Sequence, residues 1–464
     1  MALIRQEPDA DVRDLHGSPE GRVALEPAIR EIGLQLDQRM RRRRSPSAWL
    51  DQRLMEWAGS RADVRAALFR FIDVAPACQT LDGAGRHLHG FLSELDDPPR
   101  SLALTDWVAS RRVLRRVAGL GGLAGTRRLG RRFIVASDAQ AAIRPLAGLW
   151  RAGVCNALDL LGEATVSERE ADAYAARCLS ALEALAQSSR TWPDRPLLDF
   201  DSVGPLPRAH LSIKLSALTA DLRADAPERG VAGARDRLHE LLRAARELGA
   251  HVHVDMESLD HRATVTQSVF DVLDADEFQD GPSVGLVLQA YLRDSGDQLT
   301  QILDWAGSRR RRPPLLVRLV KGAYWDYERV EAAQAGWAPP VYLDRADCDR
   351  NFERLTRRLL DAHPAVRSAI ASHNLRSVSH ALAYQRSRGL APGDVEYQVL
   401  HGLGEEMRTG LVRSGVRVRV YCPIGDLVGG MAYLVRRMLE NTANESFLRA
   451  RAEATDPAAL LEAP

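Results

Sequence analysis

Eight short β-like runs, separated by segments of helical periodicity, fill the sequence after residue 150 and constrain its fold more than any other feature. They are VCNALDLLG from 154, HLSIKLSA from 210, HVHVDMES from 251, SVGLVLQAY from 283, LLVRLVKGAY from 315, RSAIASHN from 367, VEYQVLHG from 395 and VRVRVYCPIG from 416. Strand and helix alternating eight times imply an α/β architecture, a parallel (βα)8 TIM-like barrel. Several runs also alternate in polarity. Ile213 and Leu215 oppose Lys214 and Ser216; Val252, Val254 and Met256 oppose His253, Asp255 and Glu257; Val416, Val418 and Val420 oppose Arg417, Arg419 and Tyr421. Successive side chains point to opposite faces of a strand, so the aliphatic face is expected on the outer helices and the polar face in the lumen. Polar groups there are costly unless they meet partners or a ligand, so the lumen is expected to hold something polar.

Residues 1–150 read as an N-terminal helical arm and region, with Leu50, Leu54 and Trp57, then Val64, Leu68 and Phe71, recurring at helical spacing. The barrel occupies 151–450 and closes with a helix over GGMAYLVRRMLENTANESF, leaving 451–464 as a short tail. The stretch GLGGLAG at 119–125 resembles a phosphate loop only superficially, because it follows an arginine-rich helical segment instead of a buried strand; a plain turn is expected.

Composition excludes several classes of function. With 63 Lys plus Arg against 62 Asp plus Glu, the chain has no overall charge to draw it to nucleic acid. The run Arg41–Arg44 is read as a solvated helix end. Five scattered cysteines (78, 155, 178, 348, 422) with no CxxC pair indicate reduced thiols and a cytoplasmic setting. No signal peptide or spanning segment is visible, so any membrane contact would be peripheral, at the inner face of the cell membrane.

Active sites of such barrels lie at the C-terminal ends of the strands. Those ends supply Lys214, Asp255, Gln289, Arg318, Lys321, His373, Asn374, Leu400, His401 and Tyr421. Donors predominate, and no Ser or Cys nucleophile is paired with a base, so triad hydrolysis is poorly supported. A ring of donors suits a large ligand bearing carbonyls, ring nitrogens and phosphates, such as a flavin. On the closing helix, Tyr433, Arg436, Arg437 and Glu440 share one face, where two guanidinium groups can grip a small carboxylate.

These residues sit in SIKLSAL, VDMES, LQAY, RLVKGAYWD, SHN, YQVLHGLGE and AYLVRRMLENTANESF, seven segments in order over about 150–450. Together they resemble the proline dehydrogenase domain of the bifunctional proline utilisation A flavoproteins. The resemblance implies an FAD-dependent oxidation of L-proline to Δ1-pyrroline-5-carboxylate, by hydride transfer from C5 to flavin N5, with electrons passed to a quinone at the membrane surface. It implies that Arg436, Arg437 and Lys214 hold the substrate carboxylate while Tyr433, Tyr421 and Leu400 enclose its ring. Arg318 would lie near flavin N5, Gln289 at the pyrimidine edge and Trp325 against the flavin or its adenosine arm. Lys321, His373 and Glu440 would contact the ribityl-phosphate and ribose region, with Gly322, Ala323, Ser372, Asn374 and Gln398 completing the cofactor site. Asp255 would organise Lys214 or Arg437. Residues 1–150 match the family only loosely and lack a ribbon-helix-helix-like start, so no DNA partner is implied. With no aldehyde dehydrogenase module after 450, the reaction is expected to stop at the imine or its hydrolysed semialdehyde, and a separate Δ1-pyrroline-5-carboxylate dehydrogenase is the expected partner.

Two rival readings come from other classes. A metal-dependent hydrolase could draw on His251, His253, Asp255, His373 and His401, but His251 begins its strand, roughly 13 Å from the strand end. No metal is therefore expected in the site. A catalytically inactive partner half of a split enzyme is opposed by the complete face of Tyr433, Arg436, Arg437 and Glu440.

Overall fold

The computed structural model describes residues 19–40, 61–161, 165–223, 226, 228–309, 311–426, 430 and 457–464. All eight runs are strands: β1 (Cys155–Leu160), β2 (His210–Lys214), β3 (His251–Asp255), β4 (Ser283–Gln289), β5 (Leu316–Val320), β6 (Arg367–Ala371), β7 (Val395–Leu400) and β8 (Arg417–Ile424). They form a closed barrel in the order β1-β8-β7-β6-β5-β4-β3-β2, every pair parallel. Closure comes where β1 meets β8, with Cys155 opposite Arg419 and Ala157 opposite Tyr421.

The alternation in polarity sorts the faces as expected. Val252, Val254, Val418 and Val420 are buried in the main apolar core with residues of the surrounding helices, such as Leu238 and Leu241 of Val231–Leu248. Their neighbours His253, Arg417 and Arg419 are buried too; His253 bonds to His251 and Arg419 to Glu396, while Arg417 lies 3.5 Å from Glu396. Burial relaxes at the last residue of β2, β3, β5, β6 and β7, so the barrel opens at its C-terminal mouth. Its base is covered by a short antiparallel hairpin, Phe200–Asp201 with Gly204–Pro205, and Asp201 binds Arg367 at 2.8 Å.

Where it is described, the N-terminal region is helical as expected; Leu50, Leu54 and Trp57 lie outside the described residues. A long helix, α1 (Pro19–Met40), buries Ile29, Ile32, Leu36 and Met40 in the barrel's own core. It is tied down by Glu26, which accepts two hydrogen bonds from Arg376 at 2.6 and 2.7 Å. The helices α2 (Ala62–Val74), α3 (Leu81–Leu92), α4 (Arg100–Ser110) and α5 (Arg115–Phe133) build a second core around Phe71, Leu88, Leu92 and Leu102.

The GLGGLAG stretch is not the turn expected from its composition; it lies inside α5. A Cβ on Gly119 would come within 2.0 Å of the Leu81 carbonyl oxygen, and one on Gly122 within 2.6 Å of the Phe71 ring. Glycine lets helix backbones approach closely, and that packing outweighs its poor helix propensity. Among the described residues no helix is long and apolar enough to cross a membrane. The Arg41–Arg44 run and the closing helix with Tyr433, Arg436, Arg437 and Glu440 lie outside the described residues.

Candidate active site

Two charged networks meet at the mouth of the barrel. In the first, the Lys214 ammonium at the end of β2 binds Asp159 of β1 at 2.8 Å. Burial opposes its charge, but Asp159, Asp255 and Glu257 more than offset this, so its proton is held more tightly than on an ordinary lysine. In the second, Asp255 at the end of β3 accepts 2.6 Å hydrogen bonds from Arg318 Nη1 on one oxygen and from the Tyr421 hydroxyl on the other. Arg318 Nη2 reaches Ser212 Oγ at 3.2 Å, and its guanidinium lies 5.3 Å from the centre of the Tyr421 ring.

Burial raises the Asp255 carboxyl above the usual carboxylate range, partly countered by Arg318 and Lys214. Burial, with the charges of Asp159 and Asp255, pushes the Tyr421 phenol well up, so it remains a hydrogen-bond donor at neutral pH. Asp255 therefore organises Arg318 and Tyr421, while Lys214 has its own carboxylate in Asp159. Of the two partners expected for Asp255, Lys214 feels its charge but is hydrogen-bonded to Asp159, and Arg437 lies outside the described residues. Asp159 itself was missed, although a lone acid near the end of the strand CNALDL was a visible signal.

Around this centre, Gln289 donates from Nε2 to the Glu257 carbonyl at 2.8 Å, while its buried Oε1 has no partner among the described residues. Lys321 forms an ion pair with Asp349. Trp325 donates to the Tyr342 carbonyl at 2.8 Å and packs in a small apolar group with Tyr291 and Tyr324. His373 Nε2 accepts from the Leu400 amide at 3.0 Å, which fixes the end of β7 against the loop after β6. Ser372 Oγ accepts from the Asn374 amide at 3.1 Å, and Asn374 caps the following helix through the Ser377 amide at 3.0 Å. Ala323 is partly exposed in the loop after β5. Gln398 points away from the mouth, its amide donating to Glu396 at 2.7 Å within the lumen.

Gly322 has φ +127°, and a Cβ there would fall 2.3 Å from the Tyr291 ring. Its bare backbone follows from both constraints. The histidines weighed for a metal site do not assemble there. His251 and His253 gather instead with His210, deep in the lumen, with ligand atoms within 4.8 Å of one another.

A closed (βα)8 barrel whose C-terminal mouth gathers buried, paired charges has the architecture of a barrel enzyme. Residues 142–450 match the family described as proline dehydrogenase, and residues 26–133 match the proline utilization A N-terminal domain. The helical region is thus a recognised family domain, beyond the loose match expected from its sequence.

The chain is 32% identical over 339 residues to the bifunctional protein PutA of Salmonella typhimurium, covering 71% of this chain and 24% of that protein. It is 30% identical over 322 residues to the proline dehydrogenase of Deinococcus radiodurans, covering 69% of this chain and 88% of that protein. The crystal structure of proline utilization A from Bdellovibrio bacteriovorus inactivated by N-propargylglycine superposes with a TM-score of 0.84 at 32% identity, covering 95% of this chain and 44% of that one. The chain spans about a quarter of the length of its bifunctional relatives such as the Salmonella protein. It belongs to the proline dehydrogenase family.

Proposed function

We propose that this chain oxidises L-proline to Δ1-pyrroline-5-carboxylate with FAD as its cofactor and a quinone as the final electron acceptor. The observation that carries the reading is the pair of cations at the mouth, Lys214 and Arg318, each held by its own carboxylate within a barrel of this family. The residues present fit the cofactor. The buried Gln289 Oε1 suits a ring N–H donor, Arg318 and Lys321 suit carbonyl and phosphate oxygens, and Gly322 keeps the adjacent backbone bare. FAD held there would accept at N5 the hydride that leaves proline C5.

The chain's own residues would bind and orient the substrate. Lys214 offers a permanent positive charge to the proline carboxylate, and we assign the same task to Arg436 and Arg437. Tyr421 and Leu400, with Tyr433, would enclose the pyrrolidine ring and exclude water. Fixing carboxylate and ring together leaves C5 one approach to its acceptor. Loss of hydride from C5 forms the C=N bond with the nitrogen lone pair, so the amine reacts in its neutral form and one proton also leaves nitrogen. Lys321 and His373, with Glu440, would steady the cofactor's ribityl-phosphate side. Hydrolysis of the imine would yield a semialdehyde open to further oxidation, and electron delivery to a quinone requires only peripheral contact with a membrane.

The test is the visible spectrum of the purified protein. A flavin band bleached by L-proline and restored by a soluble quinone is expected; a protein reconstituted with FAD that proline leaves unbleached would refute the reading. Arg436→Ala with Arg437→Ala should abolish bleaching at proline concentrations that saturate the parent protein, and unchanged bleaching would remove the carboxylate grip from the scheme.

A further inference from the structure

At the opposite end of the barrel, a small pocket reached beside Leu206 and Pro207 is lined by ionic groups. It lies at the starts of the strands, about 13 Å from the mouth by the rise per residue of a strand. Three arginines face it. Arg367 binds Asp201 through Nε at 2.8 Å and Nη2 at 3.0 Å. Arg419 binds Glu396 through Nε at 2.7 Å and Nη2 at 2.9 Å. Arg417 has no carboxylate of its own, lying 3.5 Å from Glu396 and 3.8 Å from Asp201, both already engaged. It is also 1% exposed.

Among the described residues the count is therefore three buried guanidinium groups against two buried carboxylates. His210, His251 and His253 do not change it, because burial, reinforced by their cationic neighbours, pushes all three well below the ordinary histidine range and keeps them neutral. Nor does Cys155, whose thiol burial pushes up to about 11. A surplus positive charge with no counterion is among the most expensive things a protein interior can hold.

The hydrogen-bonding inventory points the same way. Arg367 Nη1, Arg417 Nε and Nη1, His210 Nε2 and His253 Nε2 are buried without partners among the described residues. The three arginine atoms can only donate. His251 Nδ1 is engaged with Ser283 Oγ at 2.8 Å. The three imidazoles have the spacing of metal ligands. A dication, however, would enlarge the charge surplus and leave the arginine N–H groups unanswered, whereas an anion neutralises one and satisfies the other.

We propose that this basal pocket binds a small oxyanion, a carboxylate or a phosphate, with Arg417 as its principal ligand and Arg367 and His210 beside it. The site is separate from the mouth and stands whether or not the oxidation proposed above is correct. Planar guanidinium groups present paired N–H donors to such an ion, and the partial opening beside Pro207 gives it access.

Calorimetric titration of the full chain, in a buffer of weakly coordinating anions, with inorganic phosphate and separately with acetate tests this. Saturable one-to-one binding of at least one of them is expected; whichever binds identifies the ligand class. Arg417→Gln leaves two guanidinium groups facing two carboxylates, so it should fold and bind at least tenfold more weakly. Heat that persists unchanged in Arg417→Gln would place the anion elsewhere, including at the mouth, and overturn the proposal. Should that variant fail to fold, anomalous diffraction from parent crystals soaked in selenate decides: a peak between Arg417 and His210 supports the site, and its absence sinks it. Stoichiometric Co(II) binding with tetrahedral visible bands, lost on His253→Ala, would establish the metal alternative instead.

Discussion

Asp255 is the residue on which the mouth of the barrel turns, because one carboxylate there fixes two catalytic candidates at once. Arg318 and Asp255 expose only 5% and 12% of their side chains, so their 2.6 Å ion pair is effectively internal. Removing one partner of such a pair costs about 3–5 kcal/mol, since the remaining charge is left buried. Ser212 still receives one Arg318 N–H, which puts Asp255→Ala near the lower end, about 3 kcal/mol. Tyr421→Phe alone removes a hydrogen bond to a charged acceptor, worth about 2 kcal/mol. In the double variant the tyrosine has no partner left to lose, so the two costs should fall short of adding by about 1.5 kcal/mol. Urea unfolding of the parent, both single variants and the double variant measures this coupling directly. Strict additivity would mean that the Tyr421 hydroxyl does not depend on Asp255, and the two-armed organiser assigned here would be wrong. In the same variants kcat/KM should fall at least tenfold for Asp255→Ala, because Arg318 is freed to reorient.

Glu396, buried between Arg419 and Arg417, has its carboxyl pulled from the ordinary 4.5 to about 2; burial alone would raise it, and the arginines overcome that. Its folded-state pKa is depressed, so its contribution is complete above about 4.5 and is lost as pH falls towards 2, in all about 3 kcal/mol. Urea unfolding across that window should show the parent losing this stability and Glu396→Gln, already destabilised at neutral pH, losing much less; parallel curves would contradict the assignment. Gly119→Ala should destabilise the helical region by about 1–3 kcal/mol, because its new Cβ meets the Leu81 carbonyl. A thermal melt unchanged by that substitution would show that α3 and α5 do not pack this closely.

Local pattern fixed a great deal here. Strand faces follow from alternation along each run, so the lumen positions of Lys214, Asp255 and Tyr421, like the order of strands and helices, are legible in the sequence. Pairing across the lumen is not. Asp159 finds Lys214, and Ser212 finds Arg318, only because β1, β2 and β5 are placed around one closed ring. The α5 glycines were misjudged for a related reason: composition suggested a turn, whereas the requirement comes from α3, a different helix lying against them.

What the sequence alone determined was each residue's element, face and height along a strand, since these depend on neighbours within a few positions. What the tertiary structure decided was which charges become partners and which are left over. Arg419 reaches the Asn156 carbonyl across 263 residues of chain, and Arg417 faces two carboxylates that its neighbours have already claimed. Barrel closure brings such residues together, and in a buried interior the energy of an ion depends on distance and burial rather than on separation along the chain.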